Sequence, residues 1–303
     1  MSILRRFALT MTLALSVCAT AQAQQSNVPI KTDFEVSADP ALQAILPDAI
    51  RQAGVINIGT NPNTPPTVFY GEDNRSLEGR EVDVMTAIAH RLGLEPRWHD
   101  AGGFDNIIPG LSTGRYDAAL ANLDVNSVRL KRIDFVSYFN NNRLGMVVRS
   151  DAGDERLTEL DQLCGRTVGG GSGTQNVAVL EQQSERCVAE GKEKIDIPLF
   201  PDRPSGVQSV VSGRTPAFFG PYEGLKYQAS ASRGALMLGG EFEVPPSYVG
   251  IGLGKDSELT EPVRQALQSL IDDGTYRRIL ERWEIGYGAV SEARSNQEIL
   301  DGA

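Results

Sequence analysis

The sequence predicts an α/β fold with mainly parallel sheets, and three observations point there. Short β-type runs alternate with stretches of helical period along most of the chain, the pattern of βα units. Hydrophobic residues make up 41% and charged residues 22%, a globular mix rather than a disordered or fibrous one. The 303 residues are enough for two domains of about 150 residues each.

The elements follow in order. Residues 1–23 read as an address: Arg5 and Arg6 precede an apolar run, and Ala21 and Ala23 form the Ala-x-Ala arrangement of a secretory signal peptide cut after Ala23. The run is shorter than a membrane span of about 20 residues, and nothing comparable follows. A soluble, exported mature chain is therefore expected. Val17 is bulky where a lipid-acceptor site before Cys18 needs a small residue, so lipidation is not expected. Residues 24–47 contain few apolar side chains and read as a loosely ordered N-terminal extension.

Residues 55–60 form the first strand. Val82, Met85, Ala89 and Leu92 recur at helical spacing until Gly93 stops that helix. Residues 94–98 and 117–120 read as strands on either side of a short helix at 106–111. Asn126 and Ser127 are good helix starters for 126–131, and 144–149 is a strand. Next come a helix at 157–163 and the glycine-rich turn Gly170-Gly171-Ser172-Gly173. A helix at 174–189, a strand at 195–200, a helix at 204–211, a strand at 217–219 and a helix from Tyr222 follow. Residues 248–254 form a strand and 258–273 a helix broken at Asp272-Asp273-Gly274. Residues 276–283 form the last helix, and 286–303 a polar, flexible tail.

Composition excludes several function classes. Lys and Arg number 29 against 39 Asp and Glu, a net charge of -10, and phosphate binding needs a basic face. Two histidines and three cysteines, with no Cys-x-x-Cys or His-x-x-x-His pair, argue against a zinc site. No Ser/His/Asp or Cys/His set stands out, so no catalytic residue, metal or cofactor is expected. His90 and His99 are expected at solvent or at a sheet edge. In an exported chain, Cys164 and Cys187 suggest one disulfide, the other reading being two buried thiols.

Three stretches carry a resemblance. One is Glu78-Gly79-Arg80-Glu81-Val82-Asp83-Val84 with its helix. The second is Ile107-Ile108-Pro109-Gly110-Leu111-Ser112-Thr113-Gly114-Arg115-Tyr116-Asp117, running on to Arg129 and Ile133-Asp134-Phe135. The third is Asp273-Gly274-Thr275-Tyr276 through Trp283. In order and spacing, over residues 48–285, they resemble family 3 of the bacterial extracellular solute-binding proteins, the amino-acid receptors of ABC importers. The first stretch is usually Gly-Phe-Asp-Val-Asp in that family. The cysteine pair also looks like that of a subgroup.

The resemblance implies a two-lobed clamshell, type II periplasmic binding protein-like, each lobe a mixed, mainly parallel sheet flanked by helices. Lobe one would be 48–140 plus 246–285 and lobe two 142–244, with chain crossings near 140–143 and 243–247. The implied function is a monomeric receptor that delivers a small polar solute, an amino acid or related amine, to the membrane permease of an ABC importer. Competing readings are a cyclohexadienyl dehydratase-like enzyme on the same fold and a non-transport accessory with a degraded site.

The resemblance also implies site residues. Arg129 falls at the carboxylate-binding arginine, whose planar fork matches a carboxylate; the alternative is a surface arginine beside Lys131 and Arg132. Gly173, Thr174 and Gln175 fall where lobe two offers free backbone N–H groups at a helix start, or form only a tight turn. Phe104 matches an aromatic set against the ligand or caps the core. Asn61 and Thr64 lie on the first ligand loop, where an aromatic is common. In Ala121-Asn122-Leu123-Asp124, Asp124 replaces the usual Ser or Thr, and the family's amine-binding aspartate aligns with Pro221, which has no carboxylate. Asp124 or Glu223 is expected to take the ammonium instead, unless Asp124 merely caps the helix near Asn126.

Overall fold

The computed structural model describes residues 27–153 and 156–301. The expected signal peptide lies outside the described residues. Two main sheets divide the chain, and a small antiparallel sheet of Asn63–Thr64, Val68–Tyr70 and Leu77–Glu78 stands beside the first. The first has five strands in the order Glu95–Asp100, Val55–Thr60, Ala118–Ala119, Tyr248–Gly254, Ile133–Asn140. Val55–Thr60 runs parallel to both neighbours, with Ile58 opposite Trp98 and Ala118. Tyr248–Gly254 returns from the other lobe and is antiparallel to both of its neighbours.

The second sheet places Arg143–Arg149 between Ala217–Pro221 and Leu236–Glu243, both antiparallel to it. Gly170–Gly171 and Leu199–Phe200 pair in parallel, and Gly169 bridges Phe218 to extend this layer. The chain passes between lobes after Asn140 and again before Tyr248. The two crossing segments lie side by side: Asn141 N donates to Ser247 O at 2.7 Å and Val244 N to Asn142 O at 3.0 Å.

Helices Arg80–Arg91, Thr260–Asp272 and Thr275–Arg282 cover the first sheet, contributing Val82, Met85, Leu267 and Ile279 to its core. Helices Gln175–Ala189, Arg203–Val211 and Tyr222–Ala231 flank the second. Cys164 and Cys187 form a disulfide with Cα atoms 5.7 Å apart, which sets aside the free-thiol reading. It ties the short helix Leu160–Leu163 to Gln175–Ala189.

Several expectations change. Strands Ile133–Asn140 and Leu236–Glu243 carry no alternating pattern. The first is buried on both faces and the second has a register shift between Leu238 and Gly240, so period-2 reading misses both. The N-terminal extension is packed rather than loose. Val28 N donates to Trp98 O at 2.8 Å, Val28, Ile30, Phe34 and Val36 pack on the core, and Leu42 and Leu46 are buried. Val28, Ile30, Phe34 and Val36 all fall at even positions, with Thr32 between them, so one face of the extended segment meets the core. The polar tail is also held down. Asn296 N donates to Phe135 O, Phe135 N donates to Asn296 Oδ1, Ser295 bridges Val136, and Ile299 is 0% exposed. This segment covers the edge of strand Ile133–Asn140, an unpaired edge being a liability. His99 lies on an edge strand but is buried, bonded to Asn57 Oδ1 at 3.1 Å and stacked on Tyr116.

Candidate functional site

The seam between the lobes begins at two helix starts. Gly79 has φ 134, and a Cβ there would lie 2.3 Å from Thr67 O, so only glycine lets the chain turn into helix Arg80–Arg91 at this point. Arg80 N and Glu81 N then bond Pro66 O and Thr67 O. Arg80 is 0% exposed; its Nη2 donates to Asn122 Oδ1 at 2.7 Å and its guanidinium lies 3.9 Å from the Phe139 ring centroid. Glu81, also 0% exposed, accepts from Asn122 N at 2.8 Å and from the Tyr138 hydroxyl. Burial pushes the Glu81 carboxyl up, against the pull of Arg80 and these two donors.

Glu223 faces this group from the first turn of Tyr222–Ala231 on lobe two. It is 2% exposed, with Oε1 3.6 Å from Arg80 Nη1 and Oε2 accepting from the Tyr287 hydroxyl at 3.0 Å. Burial alone would depress the Arg80 guanidinium; Tyr138, Glu223 and Glu81 outweigh it and hold it above its ordinary value. More contacts close the rim: Phe69 against Tyr227, Lys226 to Glu284 at 2.9 Å, and Arg203 Nη1 to Pro65 O at 3.3 Å.

A second group stands beside the first. Asn126 caps helix Ser127–Leu130, accepting from Val128 N and Arg129 N. Asp124 therefore does not serve as the cap. Arg129 Nη1 donates to Asp124 O at 2.8 Å, and its guanidinium lies 5.4 Å from the Phe104 ring centroid. Burial raises the Asp124 carboxyl to about 6; Arg129 opposes the shift and Glu223, from the other lobe, adds to it. Phe104, Arg129 and Asp124 thus form one chain of contacts and Asn122, Arg80 and Glu223 another, with the charge of Glu223 acting on Asp124.

The other expected residues are less engaged. Among the described residues, Thr64 Oγ1 is buried without a hydrogen-bond partner, and Asn61 O accepts from Asn63 N. Gly173, Thr174 and Gln175 are exposed; Thr174 begins helix Gln175–Ala189 and donates its hydroxyl to Gly171 O. Among the described residues, no hydrogen bond joins 173–175 to lobe one. Sequence reasoning missed Arg80, Glu81, Tyr138, Arg203 and Tyr287. Arg80 and Glu81 did carry a signal, since they stand where the resembled family usually has Phe-Asp. Among the described residues, no group of three His, Cys, Asp or Glu is arranged to hold a metal. A hollow of about 380 Å³ lined by Glu261, Arg264, Glu292 and Arg294 lies on lobe one, away from the seam, with ion-paired walls.

Comparison with known proteins agrees with this architecture. Residues 56–286 match the bacterial extracellular solute-binding proteins, family 3. The chain is 30% identical over 271 residues to the arginine-binding protein ArgT of Corynebacterium glutamicum, covering 86% of this chain and 84% of that one. An ancestral arginine-binding protein bound to arginine is similar at 26% identity and a TM-score of 0.64, over 76% of this chain and 98% of its own. The ancestral amino-acid-binding protein AncCDT-1, a precursor of cyclohexadienyl dehydratase, is similar at 26% identity and a TM-score of 0.61, over 78% and 97%. The fold is the two-lobed, type II periplasmic binding protein-like clamshell. With its lobes, crossings and seam of charged side chains, the chain belongs to the bacterial extracellular solute-binding proteins, family 3.

Proposed function

We propose that this solute-binding protein takes an α-amino acid between its lobes and hands it, in the periplasm and as a monomer, to the permease of an ABC importer. One observation carries the reading: Arg129 and Asp124 stand side by side at the seam, the guanidinium fixed by its bond to Asp124 O. An α-amino acid offers the matching pair, with its carboxylate on Arg129 and its ammonium on Asp124. The backbone N–H groups of Gly173 and Gln175, in an exposed turn, are a second carboxylate contact once the lobes close on the ligand, Thr174 N being bonded to Gly171 O. Closure removes water and strengthens both ionic contacts. The relatives are binding proteins, and binding rather than catalysis is the reading adopted.

The test is isothermal titration of the chain from Gln24 with the L-amino acids, polyamines, prephenate and arogenate. Saturable binding of an amino acid supports the proposal; a flat panel refutes it. The AncCDT-1 likeness and the raised Asp124 carboxyl, an available proton donor, favour a second reading as a dehydratase. Turnover of prephenate or arogenate would establish that reading instead.

A further inference from the structure

The buried Arg80–Glu223 pair is incomplete. Its atoms are 3.6 Å apart, and among the described residues Arg80 Nε, Arg80 Nη1 and Glu223 Oε1 have no hydrogen-bond partner. Both side chains are almost wholly buried, one on each lobe. Buried donors and acceptors normally find partners, and leaving them bare is costly. In the closed seam the two groups face only each other; where the lobes part, they present a donor edge from lobe one and an acceptor from lobe two, next to the Asp124–Arg129 group, whose Asp124 carboxyl is raised further by Glu223.

A planar group carrying one acceptor and one donor completes this arrangement. Its carbonyl oxygen takes the Arg80 N–H groups and its NH2 donates to Glu223. A cationic side chain gains from Glu223 but meets Arg80 and Arg203; an anionic one gains from the two arginines but meets Glu223 and Glu81. We propose that Arg80 and Glu223 together form a side-chain subsite for a carboxamide or ureido group, making the receptor selective for neutral, amide-bearing amino acids such as glutamine or citrulline. This rests on the reading that an α-amino acid occupies the cleft, and it adds the side-chain class. Phe139 beneath Arg80, Asn122 on its Nη2 and Tyr287 on Glu223 hold the two groups in place.

The experiment compares ligands of similar shape and different charge: citrulline with arginine, and glutamine with glutamate. Titration of the wild-type chain is expected to show citrulline and glutamine binding about tenfold or more tighter than their charged counterparts. Arg80→Met frees Glu223 and is expected to move the arginine-to-citrulline affinity ratio about tenfold towards arginine. Glu223→Gln frees Arg80 and is expected to move the glutamate-to-glutamine ratio about tenfold towards glutamate. The two variants shift selectivity in opposite senses, which a general loss of packing does not do. Circular dichroism confirms folding, and Arg80→Lys, which keeps the charge, stands in if Arg80→Met fails to fold; it is expected to retain the rejection of arginine. Wild-type preference for arginine, or ratios unmoved in both variants, overturns the subsite while leaving an amino-acid receptor intact. Absence of any amino-acid binding removes the receptor reading and this inference with it.

Discussion

Replacing Asp124 with Asn is expected to make the ligand-free protein more stable and a worse receptor. The unfolded carboxyl ionises near 3.8 and the folded one at about 6, because burial outweighs the attraction of Arg129 and Glu223 adds repulsion. Below about pH 4 both forms hold the proton and the site is neutral to stability. Between about pH 4 and 6 the folded chain keeps a proton that the unfolded chain has released, so stability falls as pH rises. Above about pH 6 the full penalty applies. A shift of about two units at about 1.4 kcal/mol each gives about 3 kcal/mol. Asn removes the charge at nearly constant size, so Asp124→Asn is expected to gain about 2–3 kcal/mol at pH 8 and almost nothing at pH 4. That corresponds to a Tm rise of about 5–10 °C. The same change removes a charged contact to the ligand ammonium worth about 1.5–3 kcal/mol, a loss of about 10–100-fold in affinity. Thermal unfolding across this pH range, with and without ligand, reads both effects. A variant no more stable at pH 8, or one with unchanged affinity, refutes the placement of Asp124 as a half-buried, ligand-facing carboxylate.

Other outcomes follow from the same geometry. Arg129→Met is expected to lose about 10–100-fold in amino-acid affinity while the ligand-free Tm changes little, because Arg129 is half-buried and makes one side-chain hydrogen bond among the described residues. Replacing Cys164 and Cys187 with Ser opens a loop of sequence separation 23 and is expected to lower stability by about 3 kcal/mol, read as a lower urea midpoint that matches the wild type under reducing conditions. Ile299→Ala removes a fully buried side chain packed with Ile107, Leu111 and Phe135, and urea unfolding should show a loss of about 2–5 kcal/mol; a loss below about 0.5 kcal/mol would mean that the C-terminal segment is not docked.

Local chemistry made much of the fold legible. Period-3.6 apolar residues mark the helix that ends at Arg91, and Gly274, at φ 78, separates the last two long helices as its residue type suggests. The exported cysteine pair points to a disulfide on chemistry alone. Strand Ile133–Asn140 stayed hidden because burial on both faces erases alternation. The packed ends stayed hidden because a few well-spaced apolar residues, Val28 to Val36 and Ile299, are diluted in polar segments.

At the site, the sequence by itself determined the residue types at the lobe edges: an arginine at 129, a carboxylate at 124, an Arg-Glu pair at 80–81 in place of Phe-Asp, and a proline at 221. Tertiary structure alone decided their partners. Glu223 meets Arg80 and Tyr287 only because two chain crossings fold lobe two back onto lobe one. Those contacts join residues far apart in sequence, and no local periodicity encodes them. Burial then makes them matter, since a guanidinium and a carboxylate removed from water must find each other or a ligand.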